Sequence, residues 1–171
     1  MLIVFSGLPG TGKTTLCQGQ ALIKKRGFTY IRIDEIEFTI QKYNNSFEKI
    51  GAIGYEVAFS IALSNLKLGN IVIADNVNPV FESRQKWKEV AQKANVKIIE
   101  IEVIGSDKVE HKKRIETRVS DIEDFKLPSW PSIQTHDYQL RSDRRLVIDT
   151  AKLTPENSVI EIEKHLNSYL V

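Results

Sequence analysis

The stretch GLPGTGKTT, residues 7–15, contains the residue types and spacing that point most directly to chemistry. Gly7, Gly12, Lys13 and Thr14 match the pattern G-x-x-x-x-G-K-[ST], and the apolar run MLIVFS precedes them. In such a loop, glycines let backbone N–H groups approach phosphate oxygens, and the helix that follows adds its positive end. The lysine contacts the β- and γ-phosphates, and the threonine hydroxyl binds Mg²⁺. The sequence therefore predicts a site for ATP and Mg²⁺.

The nucleotide is assigned to this loop and to one arginine farther along the chain. Lys13 is predicted to be catalytic because its charge bridges the β- and γ-phosphates, and Thr14 is predicted to be a metal ligand. The predicted nucleotide-binding residues are Gly7, Leu8, Pro9, Gly10, Thr11, Gly12, Lys13, Thr14, Thr15 and Arg118.

Two aspartates end apolar segments and are the candidate carboxylates of the site. Asp34 closes YIRID, and Asp75 closes IVIAD. Ligands of open α/β sheets bind beyond the carboxyl ends of the strands, so both carboxylates are expected beside the loop. Asp75 is predicted to bind Mg²⁺, and Asp34 is predicted to be the base that accepts a proton from an attacking hydroxyl. The two roles could be exchanged, and either aspartate could instead only cap the following helix.

The segment 107–140, named here the lid segment, combines basic residues with prolines and aromatics. Arg114 and Arg118 in VEHKKRIETR are four residues apart and so share one helix face. A guanidinium binds phosphate through two parallel hydrogen bonds, so both arginines are predicted to be catalytic residues of a mobile lid. The alternative is a solvent-exposed helix face on which Glu110 pairs with Arg114.

Strands and helices alternate along the chain, which positions these residues. Strands are predicted at 2–6, 28–34, 71–75, 96–104 and 145–149, and helices at 13–26, 55–69, 81–95, 107–118, 133–140 and 155–170. Gly27 is expected to end the first helix, and KYNNS to form a turn in an otherwise mixed stretch. Such alternation produces a parallel sheet covered on both faces. We expect one domain over residues 1–171, a three-layer α/β/α P-loop NTPase fold with a five-stranded parallel sheet and an arginine-bearing lid.

Composition narrows the range of partners and locations. The 171 residues include 24 basic and 22 acidic side chains, a net charge of +2, so the chain as a whole does not favour polyanions. Basic clusters at 24–26, 112–114 and 144–145 keep a nucleic-acid partner open, although solvated lysines explain them equally well. Cys17 is the only cysteine, which predicts no intrachain disulfide and a cytoplasmic location. No run approaches the ~20 apolar residues that span a membrane.

Together these segments resemble the P-loop kinases related to the kinase domain of polynucleotide 5′-hydroxyl kinases. The resemblance covers nearly the whole chain and rests on GLPGTGKTT, RID, IVIADNVNP with a later tryptophan, the lid arginines and LVIDT. DNVNPVFESRQKW is similar to the segment after the third strand of phage-type polynucleotide kinases. Small stand-alone bacterial kinase-like proteins, often labelled AAA-type ATPases, look closer still. Chloramphenicol phosphotransferases, zeta toxins and adenylylsulfate kinases are more distantly similar.

The resemblance implies roles for individual residues. It implies a catalytic aspartate after strand two, matching Asp34, an acceptor-side aspartate after strand three, matching Asp75, and a lid arginine. Relatives often have a phosphate-contacting arginine three residues after the strand-two aspartate, where this chain has Glu37. Either a lid arginine replaces that charge or the acceptor differs. The predicted substrate-binding residues are Asp34, Asp75 and Asn78.

We therefore predict an ATP-dependent kinase that transfers the γ-phosphate to an alcohol group of a small molecule or to the 5′ end of a nucleotide or nucleic acid. Its partners would be ATP, ADP and an unidentified hydroxyl-bearing acceptor. One alternative is a nucleotide-binding switch or regulatory module without an acceptor, and another is a toxin-like kinase of a cell-wall sugar nucleotide. A kinase is favoured over a switch because a switch needs no second carboxylate directed at a hydroxyl.

Overall fold

A computed structural model describes residues 1–18, 28–43 and 51–169. Within these residues five strands form one sheet: β1 (Leu2–Ser6), β2 (Thr29–Arg32), β3 (Val72–Asp75), β4 (Ile98–Ile104) and β5 (Leu146–Asp149). All pairs of neighbouring strands are parallel, and the strand order is β2-β3-β1-β4-β5. The same residues form the helices α1 (Lys13–Cys17), α2 (Ile33–Tyr43), α3 (Ile53–Lys67), α4 (Phe81–Lys93), α5 (Lys108–Thr117), α6 (Trp130–Gln134) and α7 (Pro155–Asn167).

The sheet separates two hydrophobic cores, because successive side chains of a strand point to opposite faces. Leu2 and Val4 of β1 pack in the core beneath α3 and α4, whereas Ile3 and Phe5 pack in the core beneath α1 and α7. Trp87 of α4 is fully buried in the first core. These layers confirm the expected three-layer α/β/α P-loop fold. None of the helices in the described ranges is long and apolar enough to cross a membrane.

The second strand is shorter than predicted, and a helix follows it at once. β2 ends at Arg32, which pairs with Asp75, the last residue of β3. Beyond that pair β2 has no neighbouring strand to bond, and α2 begins at Ile33. Asp34 therefore lies in the first turn of α2, where the positive end of the helix favours a carboxylate. The predictions of a strand to residue 34 and of a mixed stretch after it were wrong over the described part of α2.

The predicted helix at 133–140 is also wrong. A short helix instead spans Trp130–Gln134, because the Ser129 side chain caps its N-terminus and Pro131 occupies its first turn. The residues that follow, 137–145, have no regular structure and lie over β4; we name them the strap. Two arginines of the strap form ion pairs with Glu100 and Glu102 on β4. These pairings compete with helix formation.

The first helix was predicted over 13–26, but α1 ends at Cys17 with Gln18 as its C-cap. The other strands and helices in the described ranges agree with the prediction to within a few residues. The predicted end of the first helix at Gly27, most of the KYNNS turn and the basic cluster at 24–26 lie outside the described residues.

Candidate functional site

The loop between β1 and α1 lies so close to its neighbours that two positions need glycine. Gly7 has a φ of 137°, and a Cβ there would be 2.1 Å from the carbonyl oxygen of Val103 in β4. Gly10 has a φ of 79°, and its Cβ would be 2.3 Å from a methyl group of Ile115 in α5. Any larger residue would push the loop away from the sheet edge and from the lid segment.

Lys13 lies inside the curve of this loop. Its Nζ donates a hydrogen bond to the carbonyl oxygen of Leu8 at 3.0 Å, and the Thr11 hydroxyl donates to the same oxygen at 2.9 Å. Burial lowers the pKa of Lys13, while the negative charges of Asp75 and Asp34 oppose that change. The lysine is therefore a buried cation that has one neutral oxygen as its hydrogen-bonding partner in the described chain.

Thr14, at the start of α1, is connected to the end of β3. Its hydroxyl donates to Oδ2 of Asp75 at 2.7 Å, and the Tyr30 hydroxyl donates to the same oxygen at 2.8 Å. Burial, followed by the charge of Asp75, raises the pKa of Tyr30. A hydroxyl and a carboxylate thus lie together at the phosphate side of the loop, which is a donor set of the oxygen type that Mg²⁺ prefers.

A cavity of about 690 Å³ opens above the loop and brings most of the predicted site residues together. The predicted residues that line it are Pro9, Gly10, Gly12, Lys13, Thr14, Thr15, Asp34, Asp75, Arg114 and Arg118. Four predicted residues do not line it: Gly7, Leu8 and Thr11, which support the loop from within, and Asn78.

Asp34 contributes the second carboxylate of the cavity. No hydrogen bond joins that carboxylate to another of the described residues, in contrast to Asp75. Burial raises the pKa of Asp34, the positive charge of Lys13 lowers it, and the negative charge of Asp75 raises it further. The two aspartates thus differ in their contacts: Asp75 is bonded to Thr14, whereas the carboxylate of Asp34 has no hydrogen bond to the described residues.

The two lid arginines differ in what they contact. Arg114 donates to the hydroxyl and the carbonyl oxygen of Thr150, at 2.8 and 3.0 Å, and forms an ion pair with Glu110. Arg118 has two buried nitrogens, Nε and Nη2, without a hydrogen-bond partner in the described part of the chain. Burial lowers the pKa of Arg118, whereas the charge of Asp34 opposes that change. Of the two lid arginines, both of which line the cavity, Arg118 is therefore the one with fewer hydrogen bonds to the described residues.

Helix α5 packs against the loop, so it is not a wholly solvent-exposed charged helix. Nε2 of His111 is hydrogen-bonded to the carbonyl oxygen of Pro9 at 2.8 Å, and the imidazole packs edge-on against Trp130, 5.4 Å between ring centres. Ile115 is buried beside Gly10. The alternative of a solvent-exposed helix face is only partly right, because these two side chains fix the helix to the loop.

An ion pair joins β2 to the lid segment, and no sequence pattern predicts it. Nη1 and Nη2 of Arg32 donate to the two carboxylate oxygens of Asp121 at 2.6 and 2.9 Å, and Arg32 lines the cavity. The two residues are 89 positions apart, so no local pattern indicates the contact.

Of the two asparagines after β3, the unpredicted one lines the cavity. Asn78 is fully buried, donates to the Ser6 hydroxyl at 3.2 Å and accepts from Ser83 at 2.7 Å. Asn76 lines the cavity, and its buried Oδ1 has no hydrogen-bond partner within the described chain. The contacts of Asn78 are those of a residue that holds the loop, whereas Asn76 lies at the wall of the cavity with a buried side-chain oxygen.

Glu37 lies one helical turn after Asp34 and packs against Gly54. A Cβ at position 54 would come within 2.3 Å of the Cγ of Glu37, so the glycine makes room for this side chain. Burial, followed by the charge of Asp34, raises the pKa of Glu37 to about 7.

A pH dependence of stability follows from that raised pKa. The folded protein favours protonated Glu37, so stability is lost as the pH rises from the ordinary glutamate pKa of about 4.3 through 7. We expect Glu37→Gln to increase the free energy of unfolding by about 1–3 kcal/mol at pH 8 and by much less at pH 5. Urea denaturation at both pH values, with the exposed Glu56→Gln as control, measures this difference. An equal effect at both pH values would contradict it.

Known structures share this fold over nearly their whole length. A protein from Chloroflexus aurantiacus J-10-fl with a provisional kinase assignment is 21% identical, with a TM-score of 0.74 and coverage of 98% of this chain and 96% of the other. A sugar kinase from Janibacter sp. HTCC2649 is 16% identical, with a TM-score of 0.72 and coverage of 97% and 94%. The APS kinase of Mycobacterium tuberculosis in complex with AMPPNP and APS is 16% identical, with a TM-score of 0.70 and coverage of 97% and 96%.

The sequence of the chain matches the model of a protein family. No curated protein sequence matches the chain. The model of the AAA domain family matches residues 2–131, a range that includes the loop, both aspartates and both lid arginines. The chain therefore belongs to the AAA domain family.

Proposed function

We propose that the protein is an ATP-dependent kinase that phosphorylates a hydroxyl group. The observation that supports this most strongly is the presence of Asp34 and Arg118 in the same cavity as Lys13. A site that only binds nucleotide uses the loop, Thr14 and Asp75, and has no need of a second carboxylate without a hydrogen-bond partner. The structural similarity to a sugar kinase and an APS kinase agrees with a kinase fold.

The proposed step is a direct transfer of the γ-phosphoryl group. The acceptor oxygen forms a bond to the γ-phosphorus as the bond from that phosphorus to the β,γ-bridging oxygen breaks, and ADP leaves. Asp34 takes the proton of the acceptor hydroxyl. Lys13 and Arg118 stabilise negative charge on the phosphate oxygens.

Thr14 and Asp75 are the residues that would hold Mg²⁺. They are oxygen donors 2.7 Å apart at the loop, and such sites commonly bind Mg²⁺ through one or two protein oxygens plus phosphates and waters. The ion would supply positive charge near the β- and γ-phosphates.

The chemical class of the acceptor, a small molecule or a nucleic-acid end, is also a proposal. A relation to polynucleotide 5′-hydroxyl kinases would make a nucleotide or nucleic-acid 5′ end one acceptor, beside small-molecule alcohols. In two of the basic clusters, arginines already pair within the protein, Arg114 with Glu110 and Arg145 with Glu102. We therefore favour a small-molecule acceptor.

Labelled ATP tests the proposal. Purified protein is incubated with labelled ATP and with nucleosides, oligonucleotide 5′ ends, aminoglycosides, sugars and sugar nucleotides, and Asp34→Asn serves as the control. Label in an acceptor that depends on Asp34 supports a kinase. Hydrolysis of ATP to phosphate with no labelled acceptor, equal in the wild type and in Asp34→Asn, would support the nucleotide-binding switch instead.

The unequal contacts of the lid arginines give a further prediction. Arg118→Gln should slow phosphoryl transfer by about 10²-fold and leave ATP affinity within a few-fold of the wild type, because charge on the phosphates grows during transfer. Arg114→Gln is the matched variant; it should mainly destabilise the lid segment, since that arginine is bonded to Thr150. Single-turnover rates and nucleotide titrations distinguish the two. A larger rate loss in Arg114→Gln would reverse the assignment.

A further inference from the structure

Arg32 is a buried arginine that lines the cavity. Its side chain is only 7% exposed and extends from the end of β2, two residues before Asp34. The guanidinium lines the cavity, and its Nε is buried without a hydrogen-bond partner in the described chain. Asp121 and Glu35, the two carboxylates that contact it, are both at least half exposed. The guanidinium of Arg32 is thus buried, while the two carboxylates that pair with it are exposed to solvent.

The contact with Asp121 has the geometry that an oxyanion would use. Two parallel N–H groups bind two oxygens at 2.6 and 2.9 Å, and phosphate, sulfate and carboxylate oxygens accept such a pair equally well. Hydrogen bonding to Arg32 lowers the pKa of Asp121, so the aspartate remains an anion near neutral pH.

Asp121 belongs to an irregular part of the lid segment that is anchored mainly by Phe125, which packs edge-on against Phe38 with 5.5 Å between ring centres. Residues 118–129 form no helix or strand, and Asp121 is 55% exposed. Its neighbour Asp124 contacts Lys42 at 3.3 Å, and both of those side chains are more than 60% exposed, so that pair adds little stability. An incoming anion could therefore displace Asp121 without disturbing the core.

The rest of the cavity agrees with an anionic ligand. Three cations, Lys13, Arg32 and Arg118, act on the Asp34 carboxylate. Lys13 and Arg118 are assigned to the nucleotide, which leaves Arg32 for the acceptor. Glu37, which stands where relatives have an arginine, does not line the cavity and so does not oppose an anion there.

We propose that Arg32 selects acceptors in which an oxyanion group accompanies the reacting hydroxyl, and that Asp121 occupies the place of this group until the acceptor binds. This inference rests on the proposed function, because it identifies what the acceptor of that reaction contains.

Inorganic phosphate, in the presence of saturating Mg·AMPPNP, tests the site without any transfer. The nucleotide analogue fills the loop, so phosphate that binds reports on the remaining cations. Because Asp121 competes for Arg32, Asp121→Asn should tighten phosphate binding by about 3- to 10-fold, and Arg32→Gln should weaken it by about tenfold or more. Thermal unfolding in phosphate, against chloride of equal ionic strength, gives the apparent affinities. Asp124→Asn, three residues away and outside the cavity, should change nothing.

Matched acceptors separate this inference from the proposed function. With ATP, glycerol is compared with glycerol 3-phosphate, ribose with ribose 5-phosphate, and glucose with gluconate. We expect the anionic member to be preferred in wild type, and Arg32→Gln to remove the preference by raising KM for that member alone. Preference for neutral members, with unchanged phosphate binding in Asp121→Asn, would overturn the role of Arg32 and leave the kinase intact. Failure of AMPPNP to bind would overturn the kinase itself.

Discussion

Lys13→Ala should reduce ATP turnover by at least about 10³-fold while the protein remains folded. The effect is expected to be the largest of any single substitution, because Lys13 is a buried cation inside the loop. Its one hydrogen bond to the residues that the structure describes, that to Leu8, is easily given up to a nucleotide. Lys13→Met keeps the length of the aliphatic stem and so separates the loss of charge from the loss of packing.

ATP hydrolysis or transfer is measured together with thermal unfolding in the absence of nucleotide. Both variants should unfold near the temperature of the wild type. Near wild-type turnover in either variant would refute the assignment of Lys13 to the nucleotide.

Asp34→Asn should slow phosphoryl transfer by about 10²–10⁴-fold and leave Mg·ATP affinity unchanged. Asparagine has almost the same size but cannot accept the proton of the hydroxyl. The raised pKa of Asp34 supports this role, since a base with a higher pKa accepts a proton more readily.

Asp75→Asn is the matched variant, because Asp75 lies in the same cavity but is bonded to Thr14 and Tyr30. It should raise the Mg²⁺ concentration needed for half-maximal activity. Titrations of Mg²⁺ and ATP on both variants decide the roles. If Asp34→Asn weakened Mg·ATP binding and Asp75→Asn did not, the two aspartates would have to exchange roles.

The parts of the site that could be predicted are those that local sequence encodes. The loop motif requires glycine at Gly7, where the backbone passes too close to β4 for a side chain, and that need is visible in the motif spacing. Gly10 is also needed, because of its contact with Ile115 in α5, but the motif does not specify it. The strand that ends at Asp75 could also be predicted from local sequence, because four consecutive apolar residues precede the aspartate.

The parts that could not be predicted depend on partners far away in the chain. Whether β2 continues past Arg32 depends on where β3 stops, and whether residues 135–140 form a helix depends on the acidic residues of β4. The choice between Arg114 and Arg118 likewise depends on Thr150, 36 residues beyond Arg114. Contacts between residues that are far apart in the sequence leave no periodic pattern from which they could be predicted.

The contact between Trp130 and His111 makes the fluorescence of Trp130 a probe of the lid segment. The chain has two tryptophans: Trp87 is sealed in the core beneath α4, and Trp130 lies on the lid segment against an imidazole that is bonded to the loop. Trp87 is buried in the core away from the cavity, so its emission should not respond to nucleotide. A change in fluorescence on adding nucleotide would therefore come from Trp130. Movement of the lid segment can therefore be timed in a stopped-flow instrument on unlabelled protein.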